Sequence, residues 1–268
     1  VIKIIKIFDF KTLNDIVNQI NKIKFSFKGS FKVECERTGN HSFRSIDVGI
    51  SIGKIIREFG YEPNLKNPSN IVFLDIFDNN CIVGMLVKDR ICKRDYRVRI
   101  NNKSINACLA FSLIKIANVK KTESLLDPFC KDGVIPIEAK LLKIKKVFAS
   151  DYVENNVRNA IVNSKLAKTK IKFEHYDITW LDTKFNKNSI DKVVTNLFIS
   201  RTDKEPNKLI KEFFHQTNYI VKKSVVLITN KPDLIKSNTS NYFSLKSERK
   251  IQIGEMIYFI LEFITLHS

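Results

Sequence analysis

The sequence predicts a small α+β domain followed by a Rossmann-like, doubly wound α/β domain. Three observations carry that expectation. The chain has 268 residues, about the length of two domains. Through residue 90 its helix-like and strand-like segments are segregated, whereas from residue 107 onward they alternate, as crossovers between parallel strands require. Three successive strands of the alternating part end in an aspartate, at Asp127, Asp151 and Asp177, and ligands of open α/β sheets bind at the carboxyl ends of the strands.

Each element has its own signal. Leu13, Ile16, Val17, Ile20 and Ile23 recur at helical intervals, which predicts a helix over 10–23. Residues 31–37 alternate in polarity as a half-buried strand does. Ile46, Val48, Ile52, Ile55, Ile56 and Phe59 mark a second helix over 45–59. Pro63 and Pro68 punctuate a loop, and the apolar runs 71–77 and 81–87 flank Asp78-Asn79-Asn80, a hairpin signal. Residues 88–103 are charged and aperiodic and read as a basic linker. The expected division is therefore 1–90, a linker over 91–106, and 107–268. Within the last part, helices are expected at 107–117, 135–143, 154–167 and 206–221. Strands are expected at 124–129, 146–151, 171–177, 191–196 and 224–229, and an antiparallel pair around Gly254 covers one sheet edge.

Composition narrows the partners. Hydrophobic residues make up 44% of the chain, enough for packed cores, which excludes general disorder. The formal charge is +18, split as +8 over residues 1–103 and +10 over the rest. A positive field over both halves favours a polyanion, with nucleic acid as the first candidate. No run approaches the ~18 apolar residues of a membrane span; the longest, 256–266, is interrupted by Glu262. Cys35, Cys81, Cys92, Cys108 and Cys130 are scattered and never spaced as CxxC. They read as reduced thiols of a cytoplasmic protein, with no metal site expected.

Four positions point to chemistry. In LLDPFCKDGVIPIEA, Leu125 to Ala139, a buried strand ends in Asp127, a tight loop follows, and a helix begins near Gly133. Asp127 suits an ammonium group, and Gly133 allows close backbone approach at the helix start. Asp151, 24 residues later, suits a pair of ribose hydroxyls. Asp177 suits an adenine amine. Asn196, at the tip of DKVVTNLFIS, can accept from the exocyclic amine of a base, with Phe198 as a stacking face.

These segments together resemble the THUMP-containing class I methyltransferases that use S-adenosylmethionine, most closely the archaeal-type tRNA guanine-N2 methyltransferases. LLDPFCKDGVIPIEA is similar to their first motif, usually DPFCGSGT followed by IEA. ASDYVENNVRNAIVNSKLA resembles the second motif, and DKVVTNLFIS stands in place of their Asn-Pro-Pro-Tyr or Asn-Leu-Pro-Tyr motif. FKVECERTGNHSFRSIDVGISIGKII and NPSNIVFLDIFDNNCIVGML resemble the THUMP core and its strand pair, and KRDYRVR the basic link. Nearly the whole chain is covered, in the right order. Of the ferredoxin-like region that precedes THUMP in this family, at most residues 1–9 are expected here.

The resemblance implies a cofactor site made of Asp127, Phe129, Cys130, Lys131, Gly133, Asp151, Tyr152, Asp177 and Ile178. It implies that Asn196 and Phe198 receive a guanine whose N2 takes the methyl group. The base must leave its stack to enter. It further implies tRNA contacts from Lys28, Lys32, Arg37, His41, Arg44, Arg94 and Arg97. Lys131 and Asp132 stand where the usual motif has Gly and Ser. Phe198 stands one place ahead of the usual Tyr, with Ile199 in that position. A non-catalytic RNA-binding relative is the alternative that these departures leave open. A dinucleotide oxidoreductase would need a GxGxxG loop, which the sequence lacks.

Overall fold

The computed structural model describes residues 2–87, 92–202, 204–239 and 242–266. The chain divides into two units, Val1–Ile91 and Cys92–Ser268.

The first unit contains β1 (Ile2–Asp9), α1 (Leu13–Asn21), β2 (Phe31–Thr38), α2 (Ser45–Glu58), β3 (Asn70–Phe77) and β4 (Asn80–Leu86). Its sheet runs β1-β4-β3-β2, with β2 and β3 parallel and the other pairs antiparallel. The apolar stripe predicted at 13–23 forms α1, and it starts where Thr12 and Asp15 close a capping box. Ile16 and Ile20 of α1 and Val48, Ile52 and Ile56 of α2 pack on Val72, Leu74, Ile76, Cys81 and Val83 of the sheet. Residues 2–9 form a strand of this sheet, paired with β4 from Ile2↔Leu86 to Asp9↔Asn80.

The second unit continues with α3 (Ala107–Ile116), β5 (Ser124–Asp127), α4 (Val134–Leu141), β6 (Lys146–Asp151), α5 (Glu154–Leu166) and β7 (Lys172–His175). A 3-10 turn (Ile178–Trp180) leads into α6 (Leu181–Lys184) and β8 (Ile190–Asn196). Then come α7 (Pro206–Ile220), β9 (Val221–Thr229), α8 (Pro232–Lys236), β10 (Phe243–Ile253) and β11 (Met256–Thr265). The seven-stranded sheet has the order β10-β11-β9-β8-β5-β6-β7. Strands β5 to β9 are parallel, and the C-terminal hairpin joins antiparallel through β11 on β9.

The apolar runs of these strands are continuous because both faces are covered. On one face Leu126, Val193, Val225 and Leu227 meet Ile210, Phe213, Phe214 and Ile220 of α7. On the other, Leu125, Val194, Val226 and Ile228 meet Ala110, Leu113 and Ile114 of α3 and Ile135 and Ala139 of α4. From β5 the chain winds outward to β6 and β7, then crosses back to β8 on the opposite side. The carboxyl ends of β5 and β8 therefore diverge into a crevice at the switch point of the sheet.

From Cys92 onward, the segment read as a basic linker is part of the second unit; its residues 88–91 lie outside the described residues. Arg94 grips Glu138 with two hydrogen bonds, Nε to Oε1 at 2.8 Å and Nη2 to Oε2 at 3.1 Å. Tyr96 adds its hydroxyl to Oε1 at 2.8 Å. Arg97 Nη2 donates to Asp132 Oδ2 at 2.6 Å, and Ser104 Oγ donates to Asp132 Oδ1 at 2.5 Å. Asn163 on α5 bonds both the N–H and the carbonyl of Arg99. Among the described residues, no helix is long and apolar enough to cross a membrane.

Candidate active site at the ends of strands β5, β6 and β8

A cavity of about 220 Å³ opens at the switch point. Its walls include Asn101, Lys103, Phe129, Lys131, Asp151, Tyr152, Asn196, Leu197 and Phe198. Four polar side chains lie at or next to these strand ends; Lys131, Asp151 and Asn196 line the cavity, and Asp127 is buried outside its wall.

Asp127 ends β5 and is 1% exposed. Its Oδ1 accepts from Thr195 Oγ1 at 2.6 Å and from the Phe129 N–H at 3.3 Å. Burial pushes its carboxyl up to about 7, while the Thr195 hydroxyl, the Lys131 ammonium and the Phe129 N–H pull the other way. Such a carboxylate is short of cationic partners, and an incoming ammonium would supply one.

Asp151 ends β6 and is held rigidly. Oδ2 accepts from the Lys131 N–H at 2.9 Å, and Oδ1 accepts from the Val153 N–H at 3.0 Å and from Asn156 Nδ2 at 2.9 Å. Asn156 is itself held by Asn101, whose Nδ2 donates to its Oδ1 at 2.9 Å. The carboxylate that lines the cavity is thus fixed from both the β5 loop and α5.

Asn196 ends β8 and is 4% exposed. Its Nδ2 donates to the Lys103 carbonyl at 2.8 Å, which fixes the orientation of the amide. Its Oδ1 is then turned inward, buried and without a hydrogen-bond partner. A buried polar atom left without a partner is costly, so a donor from a ligand is the natural complement. Beyond it the strand pairing continues, with the Leu197 N–H donating to Ile228 O. Asn230 bonds both the N–H and the carbonyl of Ile199. Ile199 is buried in the core, and Phe198, half-buried, lines the cavity. The one-residue offset of the aromatic thus leaves a ring on the crevice side, 6.4 Å from Tyr258.

Lys131 is the fourth. Its backbone is left-handed, φ 50°, and its Nζ donates to the Asn196 carbonyl at 2.5 Å. Burial lowers its pKa from the usual lysine value, with Asp127 and Asp151 opposing the shift.

Other predicted site residues go elsewhere. Cys130 is buried against Ala149 and Ala160, and burial raises its thiol pKa. Gly133 (φ 81°) is required by the packing of α5: a Cβ there would lie 2.9 Å from the Cβ of Ala160. Asp177 is exposed, outside the cavity wall, and caps the 3-10 turn by accepting from the Thr179 N–H at 3.0 Å. The Ile178 side chain belongs to the core. Among the predicted RNA contacts, Lys28 and Arg44 are exposed, Arg44 beside Asp47 at 3.2 Å, and Lys32 pairs with Glu34 at 2.9 Å. Arg37 bonds His41 at 2.9 Å, and His41 bonds the Asp78 carbonyl and stacks on Phe10, so the imidazole is packing material. Arg94 and Arg97 do not form a free basic surface, because the buried acids Glu138 and Asp132 need their charges.

Sequence reasoning missed the wall formed by 101–103. Its residues have no period and no catalytic character. The available signal was Asp132 and Glu138, two acids in an apolar helix-start segment, which required cations from somewhere. Among the described residues, no group of three or more His, Cys, Asp or Glu side chains converges as a metal site would.

The family described as RMKL-like, methyltransferase domain, matches residues 94–257, and the THUMP domain matches residues 9–86. A tRNA (guanine(6)-N2)-methyltransferase of Archaeoglobus fulgidus is 35% identical over 141 residues, 48% of this chain and 36% of that protein. The enzyme of the same name from Methanocaldococcus jannaschii is 33% identical over 49% of this chain and 38% of its own length. The one from Thermus thermophilus is 27% identical over 87% of this chain and 72% of its own. The matched part thus spans well under half of the two archaeal relatives. In three dimensions, TrmN from Thermus thermophilus superposes with a TM-score of 0.79 at 22% identity, over 99% of this chain and 82% of that one. The SMU.472 structure, a complex with SAH, superposes at 0.72 and 15% identity, over 99% and 84%.

Proposed function

Since the chain belongs to the RMKL-like methyltransferase-domain family, which matches more than half of its length, we propose that it transfers a methyl group from S-adenosylmethionine to the exocyclic N2 of a guanine in tRNA. The observation that carries the reading is Asn196 Oδ1, buried and unpartnered at the end of β8, the strand beside β5 and its terminal Asp127. The names of the curated relatives support guanine as the base and tRNA as its carrier. The THUMP match and the +18 charge support RNA as the partner. A tRNA substrate and unpaired cysteines support a cytoplasmic location.

The residues fit the cofactor. Asp127 is a buried acid with no fixed ion-pair partner, and it would hold the α-ammonium of the methionine moiety. Asp151, fixed by Lys131, Val153 and Asn156, would accept from the ribose hydroxyls. When bound, S-adenosylmethionine supplies an electrophilic methyl group on a cationic sulfur. The target amine is a weak nucleophile because its lone pair is delocalised into the ring. Asn196 Oδ1 accepts one of its hydrogens and holds the nitrogen toward the methyl donor, so positioning is the main catalytic device. Phe198 offers its ring face to the flipped base. The carbonyl acceptors stabilise the positive charge that develops on the amine, which then releases its proton to water, so no strong base is needed.

The test is incubation of tRNA transcripts with radiolabelled S-adenosylmethionine, followed by nucleoside analysis. Label in N2-methylguanosine is the expected result. Label in any other nucleoside, or its absence when binding of the cofactor is measurable, removes the assignment.

A further inference from the structure

The ammonium of Lys131 sits on carbonyl oxygens. Nζ donates to Asn196 O at 2.5 Å and reaches Phe129 O at 3.5 Å, and Asp127 and Asp151 both act on it electrostatically. The left-handed backbone at Lys131, with its N–H held by Asp151, projects the side chain across the loop into the crevice. A carbonyl from the β5 loop and a carbonyl from the end of β8, in the field of two buried carboxylates, form an acceptor set for a primary ammonium. The amino-acid end of the proposed cofactor carries the same group. The cavity beside Lys131 is also small, about 220 Å³, whereas ligand pockets run to ~300–1,000 Å³.

We infer that Lys131 is an internal plug: its side chain fills the ammonium subsite between β5 and β8 and must withdraw before the amino-acid end of the cofactor can seat. The inference rests on the cofactor reading above. It makes the unplugged conformation a minor state, and apparent affinity is reduced by the fraction of molecules in that state. The adenosine end binds elsewhere in the crevice and is not subject to this reduction.

Calorimetric titration of the whole chain separates the two. The probes are S-adenosylhomocysteine and 5′-methylthioadenosine, which lacks the amino-acid end. The proteins are wild type, Lys131→Met, which keeps the length and loses the charge, and Lys131→Ala, which also opens the space. S-adenosylhomocysteine is expected to tighten about tenfold or more in both variants, as one charge-assisted hydrogen bond no longer has to be displaced. 5′-Methylthioadenosine is expected to change by less than about twofold. Unchanged or weaker binding of S-adenosylhomocysteine in both variants overturns the plug, and weaker binding makes Lys131 a partner of the cofactor carboxylate instead. If no protein binds either probe, the cofactor reading itself falls, and the plug with it.

Discussion

The pH dependence of cofactor binding tests the role of Asp127 directly. Its carboxyl is pushed up to about 7, chiefly by burial. A carboxylate that receives an ammonium group must be ionised, so binding of S-adenosylhomocysteine is linked to loss of that proton. A group titrating at 7 is about 9% ionised at pH 6 and about 91% ionised at pH 8. The Kd is therefore expected to fall about tenfold between those values and to level off above them. Stability of the ligand-free chain runs the other way. The folded value lies above the unfolded one of 3.8, so the folded chain keeps its proton where the unfolded chain has lost it. The stabilisation is complete below the unfolded value and is lost as the pH rises through about 7. Calorimetry at constant ionic strength from about pH 5.5 to 8.5, with thermal melts alongside, reads both curves. Asp127→Asn cannot ionise and is expected to flatten the binding profile. A Kd independent of pH in the wild type, or a slope that survives in Asp127→Asn, refutes the reasoning.

Asn196→Ala is expected to lower the transfer rate by about 10²–10³-fold, the range for loss of one preorganised polar contact, while S-adenosylhomocysteine binds within about threefold of wild type by calorimetry. Gly133→Ala places a methyl group 2.9 Å from the Cβ of Ala160 at φ 81°; a loss of roughly 1–3 kcal/mol is expected in urea denaturation. Asp132→Ala strands the Arg97 guanidinium, whose side chain is 9% exposed, and is expected to cost about 3–5 kcal/mol. The double variant Asp132→Ala, Arg97→Met is expected to recover part of that loss.

The fold was legible because its signals are local and repeated. Leu125 and Leu126, or Val193 and Val194, face opposite helical layers, and their adjacency in sequence is what a strand covered on both sides looks like. The ends of β6 coincide with the predicted 146–151, and the C-terminal hairpin turns at Gly254 as expected. Asp127, Asp151 and Asn196 were legible for a related reason: a polar residue that closes an apolar strand stands at the carboxyl edge. Asp177 obeys the same pattern, yet it caps a 3-10 turn that no periodicity announced. Pattern places a residue at a strand tip but does not say whether its lone pairs are already used locally. The basic run 93–99 was misread for the opposite reason. The acids that Arg94 and Arg97 hold are 35 to 44 residues distant in sequence, and a charge paired across such a gap looks the same in sequence as one facing solvent.

The acids around the crevice are divided by what already holds them. Glu138 has Arg94 and the Tyr96 hydroxyl, and Asp132 has Arg97 and the Ser104 hydroxyl. Both are occupied, and they tie residues 94–104 to the sheet so that Lys103 can orient the Asn196 amide. Asp151 is held by two N–H groups and one amide, neutral donors that leave its charge available. Asp127 has a hydroxyl, one N–H and only the indirect field of Lys131. A buried acid with so little fixed compensation is stable only if it keeps a proton or meets a cation. The chain meets that need with a lysine, whose flexible stem and point charge can leave, rather than with an arginine fork like those that hold Asp132 and Glu138. The permanent ion pairs build the wall, and on the proposed reading Lys131 stands where the ligand's own charge would go.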